Sequence, residues 1–220
     1  MRLVGRPVIL VLLAFVVGTA APQAAPGDAW STYKTAGFSI GLPSSWKVVP
    51  QSDPQLRALI ERLRSRGKFD LAQQYVQILN DPYQRGGGFA FQAFPWPADD
   101  YPITTDLIVR HTRVPQTLRA DGKALREIAI GLAGELRLQL RKDGGTVSAV
   151  HPTRIPAGPA FAFHGSTPLD PSYGGAKSAF GLVVVGSGRT VYMIQLRGDS
   201  RAYSSRAAKF ARIASTISFR

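Results

Sequence analysis

Three histidines, His111, His151 and His164, are the residues best suited to proton transfer or metal ligation. Each falls in an expected strand. His111 shares strand parity with Leu107 and Val109, His151 with Val147 and Ala149, and His164 with Ala160 and Ala162. None has a second His, Asp or Glu at a spacing such as His-x-x-x-His, so a packing or rim role is the plainer reading, and no metal or cofactor is expected. Gly186-Ser187-Gly188 lacks the full Gly-x-Ser-x-Gly elbow and sits between two strands, where a hairpin turn explains it. Gly86-Gly87-Gly88 precedes a strand without the Lys and Ser or Thr of a phosphate loop, and the adjacent Asp99 and Asp100 lack further oxygen ligands for calcium. The 14 acidic residues are spread too thinly to display a paired-carboxylate site. The absence of Cys removes thiol nucleophiles, disulfides, Cys-ligated zinc and a lipid anchor attached through cysteine. An enzyme would have to assemble its site from dispersed His, Ser and Asp residues.

The basic residues form a pattern instead. Lys123, Arg126, Arg137 and Arg141 fall within about 60° of one another on a helix at roughly 100° per residue, opposite the leucine face of the same segment. Ile130, Gly134 and the nearby Glu127 interrupt this stripe. Arg62, Arg64, Arg66 and Lys68 crowd the end of an earlier helix, where they also complement its dipole, and Arg201, Arg206, Lys209 and Arg212 lie on the last one. Such runs are either solvated faces or a contact for an anionic partner. Trp96, in Pro95-Trp96-Pro97, lies in a loop and is either a lid over the core or a recognition contact.

The elements that hold these residues follow from periodicity. Phe38, Ile40 and Leu42 alternate with polar or small neighbours as in a half-buried strand, and a second strand runs from Trp46 to Val49. Asp53 offers an N-cap for a helix with Leu56, Leu59, Ile60 and Leu63 inward. After Gly67, a partner helix places Phe69, Ala72, Tyr75, Val76 and Leu79 on one side, so 53 to 80 is a helical hairpin. Strands are expected at Phe89 to Phe94 and Asp106 to His111. The longest helix spans about Asp121 to Leu140, with Leu125, Ile128, Ala129, Leu132, Leu136 and Leu140 on one face. Four strand segments follow: Thr146 to Ile155, Phe161 to Gly165, Ala179 to Val185 and Thr190 to Arg197, the last two joined as a hairpin. Asp199 or Ser200 caps a final helix with Tyr203, Ala207, Phe210, Ile213 and Ala214 inward, and Ile217 to Phe219 returns as a short strand. This is an α+β pattern: a largely antiparallel sheet with helices on both faces.

The chain starts with Arg2 and Arg6, an apolar run from Val8 to Val17, and Gly18, Thr19, Ala20 and Ala21, the order of an export signal with cleavage before Ala21. Residues 1–20 are thus expected to be a signal peptide, 21–33 a flexible lead and 34–220 a single domain. Losing two of 27 basic residues and none of 14 acidic ones lowers the net charge from +13 to +11. With 45% hydrophobic and 19% charged residues, the composition is that of a folded globular protein and excludes a disordered chain or a coiled coil. Export makes nucleic acid a poor partner, and no recognition motif accompanies the charge. An anionic envelope component or an acidic protein fits better.

Tyr33, the phrase Phe38-Ser-Ile-Gly-Leu-Pro43 and Trp46 resemble the opening hairpin of the PsbP-like superfamily. The long amphipathic helix, the Pro156-Ala-Gly-Pro-Ala160 turn and the closing Ala211-Arg-Ile-Ala-Ser-Thr-Ile-Ser-Phe219 agree with it, over roughly Tyr33 to Arg220. The resemblance implies an α/β/α sandwich and a non-catalytic binding or accessory role. Its members include an extrinsic photosystem subunit, a Ran-binding factor and exported bacterial proteins, some of them lipoproteins. This chain has no cysteine to acylate. Two readings therefore stand: an exported binding protein using Lys123, Arg126, Arg137 and Arg141 with Trp96 as a loop contact, and a secreted hydrolase with a dispersed His/Ser/Asp site.

Overall fold

The alternation of Phe38, Ile40 and Leu42 builds β2 (Phe38–Pro43), and all three side chains enter the core. The computed structural model of the protein describes residues 29–80, 88–97, 105–115, 122–169 and 175–219, with only the backbone of 204 and 205. The expected signal peptide, Asp99, Asp100, Gly86 and Gly87 lie outside these residues. β2 is flanked by β1 (Trp30–Lys34) and, from the far end of the chain, β11 (Ser218–Phe219), forming a three-stranded antiparallel sheet. β1 takes up residues 30–33, the end of the lead expected over 21–33, whose residues 21–28 lie outside those described. Trp30 to Lys34 pairs residue for residue with Pro43 to Ser39. The Arg212 guanidinium covers the Trp30 ring at 4.1 Å, and Tyr33 lies 6.3 Å from Phe91. These partners are distant in sequence, so the local polar composition of the segment does not announce them.

The larger sheet contains β3 (Lys47–Val48), β4 (Phe89–Phe94), β5 (Asp106–Arg113), β6 (Thr146–Val147), β7 (His151–Ile155), β8 (Gly158–Pro168), β9 (Lys177–Ser187) and β10 (Thr190–Asp199). Its order is β3-β4-β5-β10-β9-β8-β6, with β7 also on β8, and every pairing is antiparallel. Ser187 faces Thr190 across a two-residue turn in which Gly188 has φ 57°, a value that suits glycine. The strand expected from Thr146 to Ile155 is two strands. At the break the Ser148 hydroxyl, in place of a backbone carbonyl, accepts the His164 N–H at 3.1 Å, which interrupts the ladder.

α1 (Asp53–Ser65) and α2 (Phe69–Asn80) form the expected hairpin between β3 and β4. Ser52, and not Asp53, is the cap residue, and it makes no side-chain capping bond; Asp53 lies in the first turn, where its charge suits the helix dipole. Leu56, Ile60, Leu71, Ala72, Tyr75 and Ile78 pack with Val49 and Phe94. Phe69, expected inward, is exposed, because the buried arc of α2 runs through Leu71 and Ile78. α3 (Lys123–Arg141) presses Leu125, Ala129 and Ala133 onto Phe161, Phe163, Leu182 and Val184. Along β9 the alternate residues Val183 and Val185 point the other way, into a core with β2 and with Phe210, Ile213 and Ala214 of α4 (Ser200–Ser215). Ala93 and Leu107 share that second core, so the adjacent Phe94 points toward the side of α3. The layers are therefore α1, α2 and α3 on one face of the large sheet, and α4 with the small sheet on the other. The expected antiparallel α+β sandwich with helices on both faces is the fold observed.

Candidate functional site

α3 carries the basic stripe on its outer surface. Lys123, Arg126, Arg137 and Arg141 are all exposed. They lie beside the buried face and not opposite it: Ala133 is buried, and at 100° per residue Arg137 projects only about 40° from it. Arg137 reaches the broken edge strand, donating from Nη2 to the carbonyls of Ser148 at 3.1 Å and Val147 at 3.4 Å. Because the Ser148 hydroxyl has taken the His164 N–H, the Ser148 carbonyl is available to this guanidinium. Arg137 thus ties α3 to the junction of β6 and β7, while Arg126 and Arg141 extend along the exposed flank. The same surface carries Ile130, 47% exposed, and Leu138, 70% exposed.

The other basic clusters are placed differently. Arg62, Arg64, Arg66 and Lys68 are exposed on the α3 side of the sheet but at its other end, since α1 and α2 pack on Val49 and Phe94 whereas α3 packs on β6, β8 and β9. Arg64 pairs with Glu61 at 3.0 Å. α4 lies on the opposite face, and its cations are engaged there. Arg201 binds Asp199 through Nε and Nη2, both at 2.8 Å, and Arg212 covers Trp30. Asp199 also accepts the Arg201 N–H at 2.9 Å as the N-cap of α4. The Arg201 side-chain hydrogen bonds hold the Asp199 carboxyl below the usual aspartate range, and they outweigh the desolvation that raises it. The three basic helices therefore do not form one patch.

Trp96 is half-buried and packs on the cluster between α1, α2 and β4, the lid position expected of it as an alternative to a contact. The three histidines are exposed and scattered. His111 lies two residues before the end of β5 with its ring 6.0 Å from that of Tyr192, and His151 begins β7. His164 lines a shallow cleft of about 450 Å³ with Thr146, Ser148, Ser166, Ser200 and Tyr203. Gly181 beneath it lets the Tyr203 hydroxyl approach the strand backbone, where a Cβ would collide with it. Among the described residues no carboxylate lines the cleft beside His164 and its serines, as an acid orienting a His and Ser pair would. Among the described residues no group of three His, Asp or Glu side chains could hold a metal.

Sequence reasoning missed a polar cluster in the middle of the sheet. Asp106 and Arg197 face each other across β5 and β10, joined from Nε at 3.0 Å and Nη2 at 3.2 Å, and Gln92 donates to the same carboxylate at 3.3 Å. Strand parity puts them on the side of α1 to α3, between the two helical packs. A local signal existed: each charge adjoins an apolar strand run, Leu107 to Val109 beside Asp106 and Val191 to Leu196, broken only by Gln195, beside Arg197. The pairing spans 91 residues and shows only once the register is known.

No helix among the described residues is long and apolar enough to cross a membrane. Neither a known protein family nor a curated protein matches the chain at the sequence level. The fold has solved counterparts. The cyanobacterial PsbP of Synechocystis sp. PCC 6803, CyanoP, is similar over 92% of this chain and 99% of its own, with a TM-score of 0.52 and 9% identity. LpqN of Mycobacterium tuberculosis, described as involved in cell envelope biogenesis, covers 87% of this chain and 90% of its own at a TM-score of 0.47 and 11% identity. The chain thus has a PsbP-like fold, as the opening hairpin and closing helix of the sequence imply.

Proposed function

We propose that this is an exported, non-catalytic binding or accessory protein that meets an anionic partner at the cell envelope through the flank of α3. The observation that carries this reading is the arrangement of Arg126, Arg137 and Arg141 on one exposed side of the longest helix, with Arg137 fixed to β6 and so holding the flank in place. A pre-organised cationic surface binds with less ordering cost than free side chains would. The Arg2, Arg6 and Val8 to Val17 pattern supports export and hence a partner outside the cytoplasm. The exposed, scattered histidines give the hydrolase reading no support.

The test is binding of the secreted chain to washed envelope fragments. Binding should be lost in about 1 M salt, where the Debye length falls to about 3 Å, and should fall sharply for Arg126→Glu/Arg141→Glu. Binding that is indifferent to both salt and these substitutions would refute the proposal.

A further inference from the structure

We propose that the anionic partner of α3 is a lipid bilayer surface, with Ile130 and Leu138 entering the headgroup region while Arg126, Arg137, Arg141 and Lys123 meet lipid phosphates. This rests on the envelope-binding reading and names its chemistry. Among the described residues, the large hydrophobic side chains left exposed are Phe69, Ile130 and Leu138, and two of these three stand on α3. At 1.5 Å rise per residue Ile130 and Leu138 are about 12 Å apart along the axis, and at 100° per residue they diverge by about 80°. Ile130 projects within the arc of the cations, and Leu138 lies about 60° beyond its edge, on the exposed side away from the buried face. Between them Gly131 and Gly134 present bare backbone, with nothing within 4 Å of the position a Cβ would take. The surface between the two aliphatic side chains is therefore open at these glycines.

Glu127 shares the face and weakens its charge, while Glu135 lies on the far flank. A soluble polyanion would satisfy the arginines but give no return for two exposed aliphatic side chains. An anionic bilayer satisfies both, phosphates by charge and aliphatic carbons by an apolar phase, in the way surface-lying amphipathic helices bind. With two apolar residues the adsorption is reversible and surface-bound, and no span is required.

The experiment compares secreted wild-type chain with two variants, each checked for native circular dichroism, in sedimentation with vesicles. The vesicles are phosphatidylcholine alone or an equimolar mixture with phosphatidylglycerol, and soluble polyglutamate stands for an acidic protein segment. Wild type should sediment with the anionic vesicles and not with the neutral ones. Arg126→Gln/Arg141→Gln should weaken that partitioning about 25-fold, at about fivefold per cation near an anionic surface. Ile130→Ser/Leu138→Ser should weaken it about tenfold by loss of apolar burial, and leave polyglutamate binding unchanged. If the serine variant binds anionic vesicles as wild type does, bilayer insertion is wrong, and sensitivity to the arginines alone would preserve the envelope-binding reading. Binding to polyglutamate but not to vesicles likewise overturns the lipid assignment only. Failure to bind either probe overturns both.

Discussion

Replacing Asp106 with alanine should destabilise the domain by about 3 kcal/mol, the lower end for removing one partner of a buried ion pair. The figure follows from the surroundings. The Asp106 side chain is 6% exposed and takes two hydrogen bonds from Arg197 and one from Gln92. Its removal takes the carboxylate away from a guanidinium and leaves a fully buried amide without that acceptor. Arg197 is 30% exposed, so part of its charge can turn to water, and the loss stays below that of a fully enclosed pair. At about 2–4 °C per kcal/mol for a domain of this size, the midpoint should drop by about 6–12 °C in a thermal melt followed by circular dichroism. Removing both charges, as Asp106→Ala/Arg197→Met, should cost less than Asp106→Ala alone, because the main penalty is an uncompensated charge. An Asp106→Ala cost under about 1 kcal/mol, or a double variant that loses the sum of the two singles, would refute the account of this pair.

Other outcomes follow from single contacts. Asp199→Ala removes the α4 cap and should cost about 1–2 kcal/mol in urea unfolding. Because its folded pKa is depressed, the stability Asp199 contributes is present above about pH 4 and is lost as pH falls through the folded value, so Asp199→Asn should flatten the acid limb of a stability-against-pH curve. The buried Tyr75 phenol, pushed up to about 12, donates to the Val48 carbonyl at 3.1 Å. Its contribution is present below about pH 10 and lost on rising toward about 12, so Tyr75→Phe should cost about 1 kcal/mol at neutral pH and reduce that alkaline loss, measured by urea titration at each pH. Arg137→Met should cost about 1 kcal/mol in the same assay and raise hydrogen exchange in 146 to 150, since it frees the carbonyls of Val147 and Ser148.

What the sequence disclosed depends on how local each signal is. Phe38, Ile40 and Leu42 declare β2 by alternation alone, and Leu125 to Leu140 declare α3 by helical spacing. The α4 cap is legible because Asp199 acts on the residue two positions on. β1 is different: Trp30 to Lys34 owes its conformation to β2, to Phe91 and to Arg212, none of which its composition reveals. Phe69 departs from the expected inward face because the first residue of a helix satisfies the periodicity while projecting beyond the packed surface. At the candidate site, the alignment of the α3 cations was legible at 100° per residue. Their bearing on the rest of the molecule was not, since Arg137 finds its carbonyls only through the strand break that Ser148 creates. Asp106 and Arg197 needed the β5–β10 register to meet.

The claim that most needs a direct test is that the position of charge on α3, and not the basic excess itself, governs envelope binding. Arg126→Glu/Arg141→Glu on α3 and the equally charged Arg62→Glu/Arg66→Glu at the C-terminal end of α1 change net charge identically at opposite ends of the helical face. The measurement is the affinity of both variants for washed envelope fragments at low salt, alongside wild type. The α3 pair should lose binding steeply, and the α1 pair should bind near the wild-type level. Equal losses in the two would contradict the claim and reduce the α3 flank to part of a diffuse positive surface.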